Sequence, residues 1–138
     1  MTTAFKITTA DQVIIRFRFY NEAPVTVESF TKALPFTETF FHARTSGQEI
    51  WTDKAPALEI IQENASVFTE IGEVVLGPTK PKRVRTAGFM GIYYGEGKGL
   101  DACNIFAKVF DEDLSLLQKL GNKIWMHGTE NLRFEILI

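Results

Sequence analysis

Apolar and polar residues alternate near the start of the chain in a way that is typical of a half-buried β-strand. Ile15, Phe17 and Phe19 would lie on one face of this strand, and Arg16 and Arg18 on the other. A preceding apolar run offers a hairpin partner, with a short polar turn between the two. The sequence therefore opens with a predicted β-hairpin that has one apolar face.

The apolar spacing changes to a helical one in two places. Between Pro24, which suits a first helical position, and Pro35, which ends a helix, apolar residues recur three or four positions apart. A second helix is predicted after Asp111 or Asp113, either of which can cap it, and its leucines lie along one face. Gly121 is a natural end for this helix.

Strand-like runs occupy most of the remaining chain. They are predicted at residues 5–8, 13–20, 37–45, 48–52, 73–76, 86–94, 105–110, 123–126 and 132–138. The glycine-rich residues 95–99 are predicted to form a loop between two of these strands. About eight strands with two dispersed helices favour a closed or sandwiched antiparallel sheet whose ends the helices cover. The sequence thus predicts a mainly β fold, in one domain of residues 1–138.

Composition and charge exclude several classes of function. The net charge of −2 argues against general nucleic-acid binding, which normally needs a basic excess. Cys103 is the only cysteine, so neither an intrachain disulfide nor a thiolate metal cluster is possible, and no metal or cofactor is expected. The N-terminus lacks a signal-peptide pattern, and no run reaches the roughly eighteen apolar residues of a membrane span. A cytoplasmic protein without a membrane partner is therefore expected.

Several segments of the chain resemble cyclophilin-like proteins. Residues 20–30, Tyr-Asn-Glu-Ala-Pro-Val-Thr-Val-Glu-Ser-Phe, are similar to the cyclophilin start, where a strand ends at an acidic-Ala-Pro segment before a helix. Residues 42–51, 63–64, 93–95 and 104–107 resemble an uncharacterised, mainly bacterial family of small cyclophilin-like proteins. The resemblance implies a cyclophilin-like closed antiparallel β-barrel of about eight strands with two helices. It implies no activity, because the family has none assigned.

Peptidyl-prolyl isomerase activity is disfavoured by the same comparison. In true cyclophilins an arginine directly follows a Phe-His pair, whereas here Ala43 follows the pair at residues 41–42 and the arginine comes one place later. On a strand, a displacement by one residue moves a side chain to the opposite face. The Gly-Phe-Met segment at residues 88–90 lies far downstream, and the glutamine that follows it in cyclophilins is missing.

His42 and Arg44 are the best candidates for a functional site. A spacing of two places both side chains on the same side of a strand, and Ser46 follows them at a turn. A guanidinium and an imidazole directed into one cavity can hold a carboxylate and move a proton. In the alternative interpretation, Glu38, His42 and Arg44 lie on a solvent-facing strand and pair with one another.

Glu63 and Asn64 form a second candidate pair. Glu63 can act as a general base while Asn64 orients a substrate. In the alternative, they belong to a loop in which Asn64 bonds its own backbone and Glu63 is solvated. Tyr94 and Asn104 lie on either side of the glycine-rich segment and would complete a pocket wall, although Tyr94 also fits a core position. The predicted catalytic residues are His42, Arg44 and Glu63, and the predicted ligand-binding residues are Ser46, Asn64, Tyr94 and Asn104.

Other conspicuous residues have simpler interpretations. The basic cluster at residues 80–85 is predicted to be a solvated hairpin whose charges protect a strand edge. Cys103 is predicted to be a small buried residue. Trp51 and Trp125 are predicted to belong to the core.

Two classes of function remain open. In the first, the protein binds or transforms a small polar or anionic metabolite, of carboxylate or amide type, in a pocket lined by the residues named above and without a bound cofactor. In the second, it is a non-catalytic oligomeric or accessory module, a homo-oligomer whose exposed strand edges pair between subunits. Loss of a ligand's stabilising effect in an Arg44→Ala variant would favour the first class.

Overall fold

The computed structural model describes residues 3–80 and 86–138, so most of the predicted basic hairpin at residues 80–85 lies outside the described residues. The strands are β1 (Ala4–Thr8), β2 (Ile14–Phe19), β3 (Phe36–His42), β4 (Gly47–Thr52), β5 (Ala65–Phe68), β6 (Glu73–Leu76), β7 (Met90–Val109) and β8 (Glu130–Ile136). The helices are α1 (Pro24–Ala33) and α2 (Leu114–His127), and a 3₁₀ turn (Asp111–Asp113) precedes α2. The mainly β fold predicted from the sequence is confirmed.

The described strands form one antiparallel sheet that closes on itself. Its order is β2-β1-β8-β3-β4-β7, and β2 also pairs with the far end of β7, so the two edges meet. Strand β6 lies between the two halves of β7, since Val74 pairs with Ile92 on one side and with Ala107 on the other. Strand β5 is added along the middle of β7. This ring agrees with the predicted cyclophilin-like closed sheet.

Strand β7 runs through residues that are predicted to be a loop. The prediction of a loop at residues 95–99 is wrong, because Gly97 pairs with Gly47 of β4 and Lys98 pairs with Phe68 of β5. The glycine at position 97 serves a close approach, since a Cβ there would overlap the carbonyl oxygen of Ser46. The sequence does not predict β5, because its four residues are half-exposed or exposed and show no alternation.

Phenylalanine rings fill the interior of the closed sheet. The ring centroid of Phe5 lies 5.0 Å from those of Phe17 and Phe30 and 6.1 Å from that of Phe134. All four side chains are almost fully buried, and Phe30 comes from α1. Burial of one such ring contributes about 1.5–3 kcal/mol. Phe30 therefore holds α1 against the end of the sheet.

Helix α2 extends beyond its predicted end. The predicted stop at Gly121 and the predicted strand at residues 123–126 are wrong, because the helix continues to His127. It ends at Gly128, whose φ of 108° favours glycine. Gly121 is needed for packing, since a Cβ there would overlap the ring of Tyr94. Neither helix in the described part of the chain is long and apolar enough to cross a lipid bilayer.

Asp113 precedes α2 without capping it through its side chain. Its carboxylate accepts hydrogen bonds from the backbone nitrogen of Arg16 at 2.8 Å, from Nε at 2.8 Å and from Nη2 at 2.9 Å. The bonds from Arg16 hold the pKa of Asp113 below its ordinary value. This pair ties the start of α2 to β2.

Candidate functional site

A cavity of about 750 Å³ opens on the face of the sheet that points away from the phenylalanine core. Ile50 of β4 and Ile92 of β7 belong to that core and are fully buried. Successive residues of a strand point to opposite faces, so their neighbours Glu49, Trp51 and Tyr93 point outward and line the cavity. The volume lies within the range of about 300–1,000 Å³ that is typical of small-molecule sites.

Glu49 is a buried carboxyl group in the wall of this cavity, and only 8% of its surface is exposed. The Ser46 hydroxyl donates a hydrogen bond of 2.5 Å to Glu49 Oε1, and the Tyr93 hydroxyl is close enough to act on the carboxyl as well. Burial raises the pKa of Glu49, and the two hydroxyls offset only part of this rise. Glu49 therefore keeps its proton to a higher pH than an exposed glutamate does.

The turn between β3 and β4 brings Ser46 to Glu49. Gly47 follows Ser46 with a φ of 103°, which residues with a side chain rarely adopt. A Cβ on Gly47 would also lie 2.6 Å from the carbonyl oxygen of Glu96, so glycine lets β7 pass close to the turn. The pairing of β4 with β7 shifts register between Gly47 and Glu49. Such irregularities redirect side chains and are common beside functional sites.

Cys103 and Tyr93 add neutral polar groups to the cavity wall. Burial, together with the charge of nearby Glu49, raises the pKa of the Cys103 thiol to about 12. Burial and Glu49 also raise the pKa of the Tyr93 hydroxyl. Cys103 is therefore the small buried residue that the sequence predicts, since a nucleophilic cysteine needs a lowered pKa.

Three half-buried aromatic rings, those of Phe41, Trp51 and Phe89, form another part of the wall. The ring centroid of Trp51 lies 6.3 Å from that of Phe41 and 5.5 Å from that of Phe89. The predicted placement of both tryptophans in the core is wrong, because Trp51 lines the cavity and Trp125 is 64% exposed on α2. These rings give the cavity an apolar aromatic wall.

Charged side chains line the cavity where it meets solvent. Arg44, Asp53, Lys54 and Asp101 are all exposed lining residues. Within residues 3–80 and 86–138, neither Arg44 nor Lys54 forms an ion pair. The rim therefore carries both signs of charge, and its cations are available to an anionic group of a ligand.

Of the predicted site residues, His42, Arg44 and Ser46 lie along the cavity. His42 and Arg44 do not share a strand face, because β3 ends at His42 and its predicted continuation to residue 45 is wrong. His42 Nδ1 lies 2.7 Å from the carbonyl oxygen of Ala43, which can only accept, so Nδ1 carries the proton. His42 Nε2 then accepts a hydrogen bond of 2.7 Å from the Tyr94 hydroxyl. Both imidazole nitrogens are therefore engaged, Nδ1 with the next residue of the chain and Nε2 with Tyr94 of β7.

Tyr94 and Asn104 point into the interior of the closed sheet, away from the cavity. Each directly follows a cavity-lining residue of β7, Tyr93 or Cys103, and the alternation of the strand turns it to the opposite face. Tyr94 is 4% exposed and Asn104 is fully buried. Tyr94 thus occupies a core position, which is the alternative that the sequence leaves open.

Glu63 and Asn64 lie near the N-terminus of α1 and do not line the cavity. Glu63 Oε2 accepts hydrogen bonds from the backbone nitrogen of Thr26 at 2.6 Å and from its hydroxyl at 2.7 Å. The first of these satisfies an amide that the helix itself leaves free. The side-chain amide of Asn104 donates to Thr26 Oγ1 at 2.9 Å, and that of Asn64 donates to the Ile105 carbonyl oxygen at 2.8 Å. The structure separates these three predicted site residues from the cavity.

Glu49 lies in the cavity wall, but its sequence context does not mark it as a site residue. Within a predicted strand, a glutamate beside Gln48 has the pattern of an ordinary solvent-facing position. The available signal is that Glu49 and Trp51 share the strand face opposite Ile50. A carboxyl and an indole on one face indicate a site only once that face is known to be covered, and the sequence does not show the covering segments.

Several solved structures have a similar fold. McbB, solved in complex with tryptophan, matches with a TM-score of 0.72 at 14% identity, over 96% of this chain and 44% of McbB. A hypothetical protein from Archaeoglobus fulgidus matches with a TM-score of 0.67 at 18% identity, over 99% of this chain and 95% of its own. A cyclophilin-type peptidyl-prolyl cis-trans isomerase from Cryptosporidium parvum matches with a TM-score of 0.66 at 17% identity, over 100% and 99% of the two chains. These similarities confirm the cyclophilin-like architecture and extend to the fold alone.

Sequence similarity identifies a family without an activity. Residues 8–136 match the model of the family described as a protein of unknown function, DUF3830. No protein of curated function matches the sequence. The chain spans less than half the length of McbB, at 44%. The function therefore has to be argued from the cavity itself.

Proposed function

We propose that this chain, which belongs to the DUF3830 family of proteins of unknown function, binds a small organic molecule in the cavity beside Glu49 and exchanges a proton with it. The Glu49 carboxyl carries the proposal, because it is buried in the wall of a cavity large enough for a metabolite and is hydrogen-bonded by Ser46. Burying an ionisable group is costly, and groups with perturbed pKa values cluster at functional sites.

The surroundings of Glu49 suit a general acid or base. A proton-transfer group works best when its pKa lies near the working pH, and burial moves the pKa of Glu49 in that direction. The hydrogen bond from Ser46 fixes the orientation of the carboxyl group. A fixed carboxyl meets a bound molecule at a defined point, which lowers the entropic cost of the proton transfer.

The remaining walls suit a ligand with an apolar ring. The rings of Phe41, Trp51 and Phe89 offer flat contact surfaces, and Met90 adds an adaptable apolar side chain. The tryptophan complex of McbB supports this part of the proposal, since a protein containing a similar fold binds an aromatic small molecule. The exposed cations Arg44 and Lys54 would meet a polar or anionic group at the outer end of the ligand.

Thermal unfolding in the presence of small ligands tests the proposal. The panel consists of carboxylates, amides, cyclic imides and amines that carry a ring, and the proteins are wild type, Glu49→Gln and Glu130→Gln. Glu130 is a matched control, because it is also 8% exposed but pairs with Lys123 at 2.8 Å and does not line the cavity. A ligand at 100 times its Kd should stabilise the fold by about 2.7 kcal/mol.

We expect at least one compound to raise the midpoint temperature of thermal unfolding of wild type and of Glu130→Gln. The same compound should have little effect on the midpoint temperature of Glu49→Gln. An equal effect in all three proteins would place the ligand elsewhere and contradict the proposal. No effect from any compound would favour the second candidate function.

That second candidate is a non-catalytic module that assembles with copies of itself. Strand β5 is a short edge strand, paired only with β7 among the described strands, and its Phe68 is 71% exposed. Leu100 of β7 is 76% exposed. Apolar residues at an unpaired strand edge favour association between chains. Sedimentation of wild type and Phe68→Ser tests this candidate. It requires that wild type sediments as an assembly and that the substitution shifts the protein toward the monomer.

A further inference from the structure

We infer that the ligand is an organic cation, a small amine whose ammonium group pairs with Glu49 beside the aromatic wall of Phe41, Trp51 and Phe89. This inference rests on the proposed function, because it assumes that the cavity binds a small molecule. It assigns the charge of the ligand, which the proposed function leaves open.

The first argument is the charge balance at Glu49. Within the described residues, the side chains that act on its carboxyl are the hydroxyls of Ser46 and Tyr93, and no positively charged group is among them. A buried carboxylate without a cationic partner is strongly disfavoured, so the free protein keeps Glu49 protonated to a raised pH. An ammonium group would supply the missing positive charge and form a charge-assisted hydrogen bond with the carboxylate.

The second argument is the nature of the surrounding wall. The face of an aromatic ring attracts a cation within about 6 Å of its centre, and tryptophan does so most strongly. Trp51 lies on the same strand face as Glu49, two residues further along β4. The centroid of its ring lies 6.3 Å from that of Phe41 and 5.5 Å from that of Phe89. A carboxyl and several aromatic rings in the wall of one cavity favour an ammonium group over a neutral one.

The third argument concerns anionic ligands. A carboxylate placed beside Glu49 would be repelled once Glu49 ionises, and Asp53 and Asp101 line the same cavity. Arg44, which the sequence offers to a carboxylate, is at the exposed rim together with Lys54. Exposed ion pairs contribute little to binding. The inner part of the cavity therefore selects a positive charge, and the rim tolerates a negative one.

Isothermal titration calorimetry with four small phenyl compounds tests the inference. Phenethylamine carries a positive charge, phenylacetate a negative one, and 2-phenylethanol and phenylacetamide carry none, while all four share one ring. We expect phenethylamine to bind wild type and Glu130→Gln most tightly. In Glu49→Gln its affinity should fall by about 10-fold or more, because a desolvated charge pair is lost, while the affinity for 2-phenylethanol should change little.

A second variant separates the effect of the aromatic face of Trp51 from the effect of its apolar volume. Trp51→Leu keeps an apolar side chain on the cavity wall and removes the aromatic face. Phenethylamine binding should weaken about 2-fold to 30-fold more than 2-phenylethanol binding, which is the range of a cation–π contribution. Equal weakening of both compounds would contradict the role of the aromatic wall in charge selection.

The outcomes distinguish the inference from the function on which it rests. If phenylacetate or phenylacetamide binds as tightly as phenethylamine, or if Glu49→Gln leaves phenethylamine binding unchanged, the assignment of a cationic ligand is overturned and the small-molecule cavity stands. If none of the four compounds binds, the assignment is also overturned. If, in addition, no compound of the thermal-unfolding panel stabilises the protein, the proposed function is overturned as well.

Discussion

The carboxyl group of Glu49 occupies the space directly over Gly91, where any other residue would place its Cβ atom. Gly91 pairs with Trp51, and Glu49 pairs with Tyr93 two steps along the same ladder between β4 and β7, so both pairs share one face. A side chain on residue 91 would overlap Glu49 Oε2, while its next nearest neighbour, Val75 Cγ2, lies at an ordinary distance of 3.4 Å. The glycine therefore makes room for the carboxyl in the cavity wall.

We expect Gly91→Ala to displace the carboxyl of Glu49 and to weaken ligand binding strongly while the protein stays folded. The three atoms nearest to the added methyl group belong to the side chains of Glu49 and Val75, and none of them is a backbone atom. The cost to the free energy of unfolding should stay within the range of about 1–3 kcal/mol typical of overpacking. Ligand-induced stabilisation, compared with that of wild type, is the measurement.

Gly95→Ala is the matched control for this substitution. A Cβ on Gly95 would overlap the side chain of Gln48, which is exposed, on the same pair of strands. This variant should keep the full ligand effect. Equal loss of binding in both variants would mean that β7 tolerates no added methyl group and that the position of Glu49 is not the cause.

Glu49 is expected to make the folded protein less stable as the pH rises. In the unfolded chain it titrates near 4.5, and in the folded protein its pKa is raised. Between these two values the unfolded state has lost a proton that the folded state keeps. The free energy of unfolding therefore falls with rising pH in this window, by about 1.4 kcal/mol per unit of difference, and becomes constant above the folded pKa.

Urea unfolding of wild type and Glu49→Gln from about pH 4 to about pH 8 isolates this effect, because the other titrating groups are common to both proteins. The stability of wild type relative to Glu49→Gln should decline as the pH rises through the window. A relative stability that increases with pH would mean that a cation stabilises the ionised carboxyl and would contradict the burial argument.

Tyr94→Phe should cost stability and leave ligand binding intact. The substitution removes the hydroxyl that donates to His42 Nε2 at 2.7 Å and leaves a half-buried nitrogen without its partner. The expected cost is about 0.5–1.5 kcal/mol in the free energy of unfolding. Unchanged stability together with lost ligand binding would instead support the pocket-wall role that the sequence predicts for Tyr94.

Glu63→Ala should destabilise the protein without changing the ligand effect. The variant removes two hydrogen bonds to Thr26 at the start of α1, and bonds to charged groups contribute about 1.5–3 kcal/mol each at most. Glu63→Gln keeps an acceptor oxygen and should recover part of the loss. Loss of the ligand's stabilising effect in both variants would support the catalytic role that the sequence predicts for Glu63.

Local pattern is sufficient to predict much of the fold. Alternation predicts β2 and β8, and the prolines at positions 24 and 35 bracket α1, because each signal involves residues close in the chain. The signals fail where a glycine has a tertiary role. Gly97 is predicted to lie in a loop, but the absence of a Cβ atom there makes room for the backbone of Ser46. Gly121 is predicted to end a helix, but the absence of a Cβ atom there makes room for the ring of Tyr94.

The sequence by itself determined which residues can share a strand face, and the tertiary structure decided which face borders the cavity. Tyr94 and Asn104 were attractive as polar residues, yet their side-chain polar atoms are bonded within the protein. Their chain neighbours Tyr93 and Cys103 line the cavity instead. Alternation assigns the residues of a strand to two faces but does not show which face is inside. The inner face is defined only when the sheet closes around the phenylalanine core.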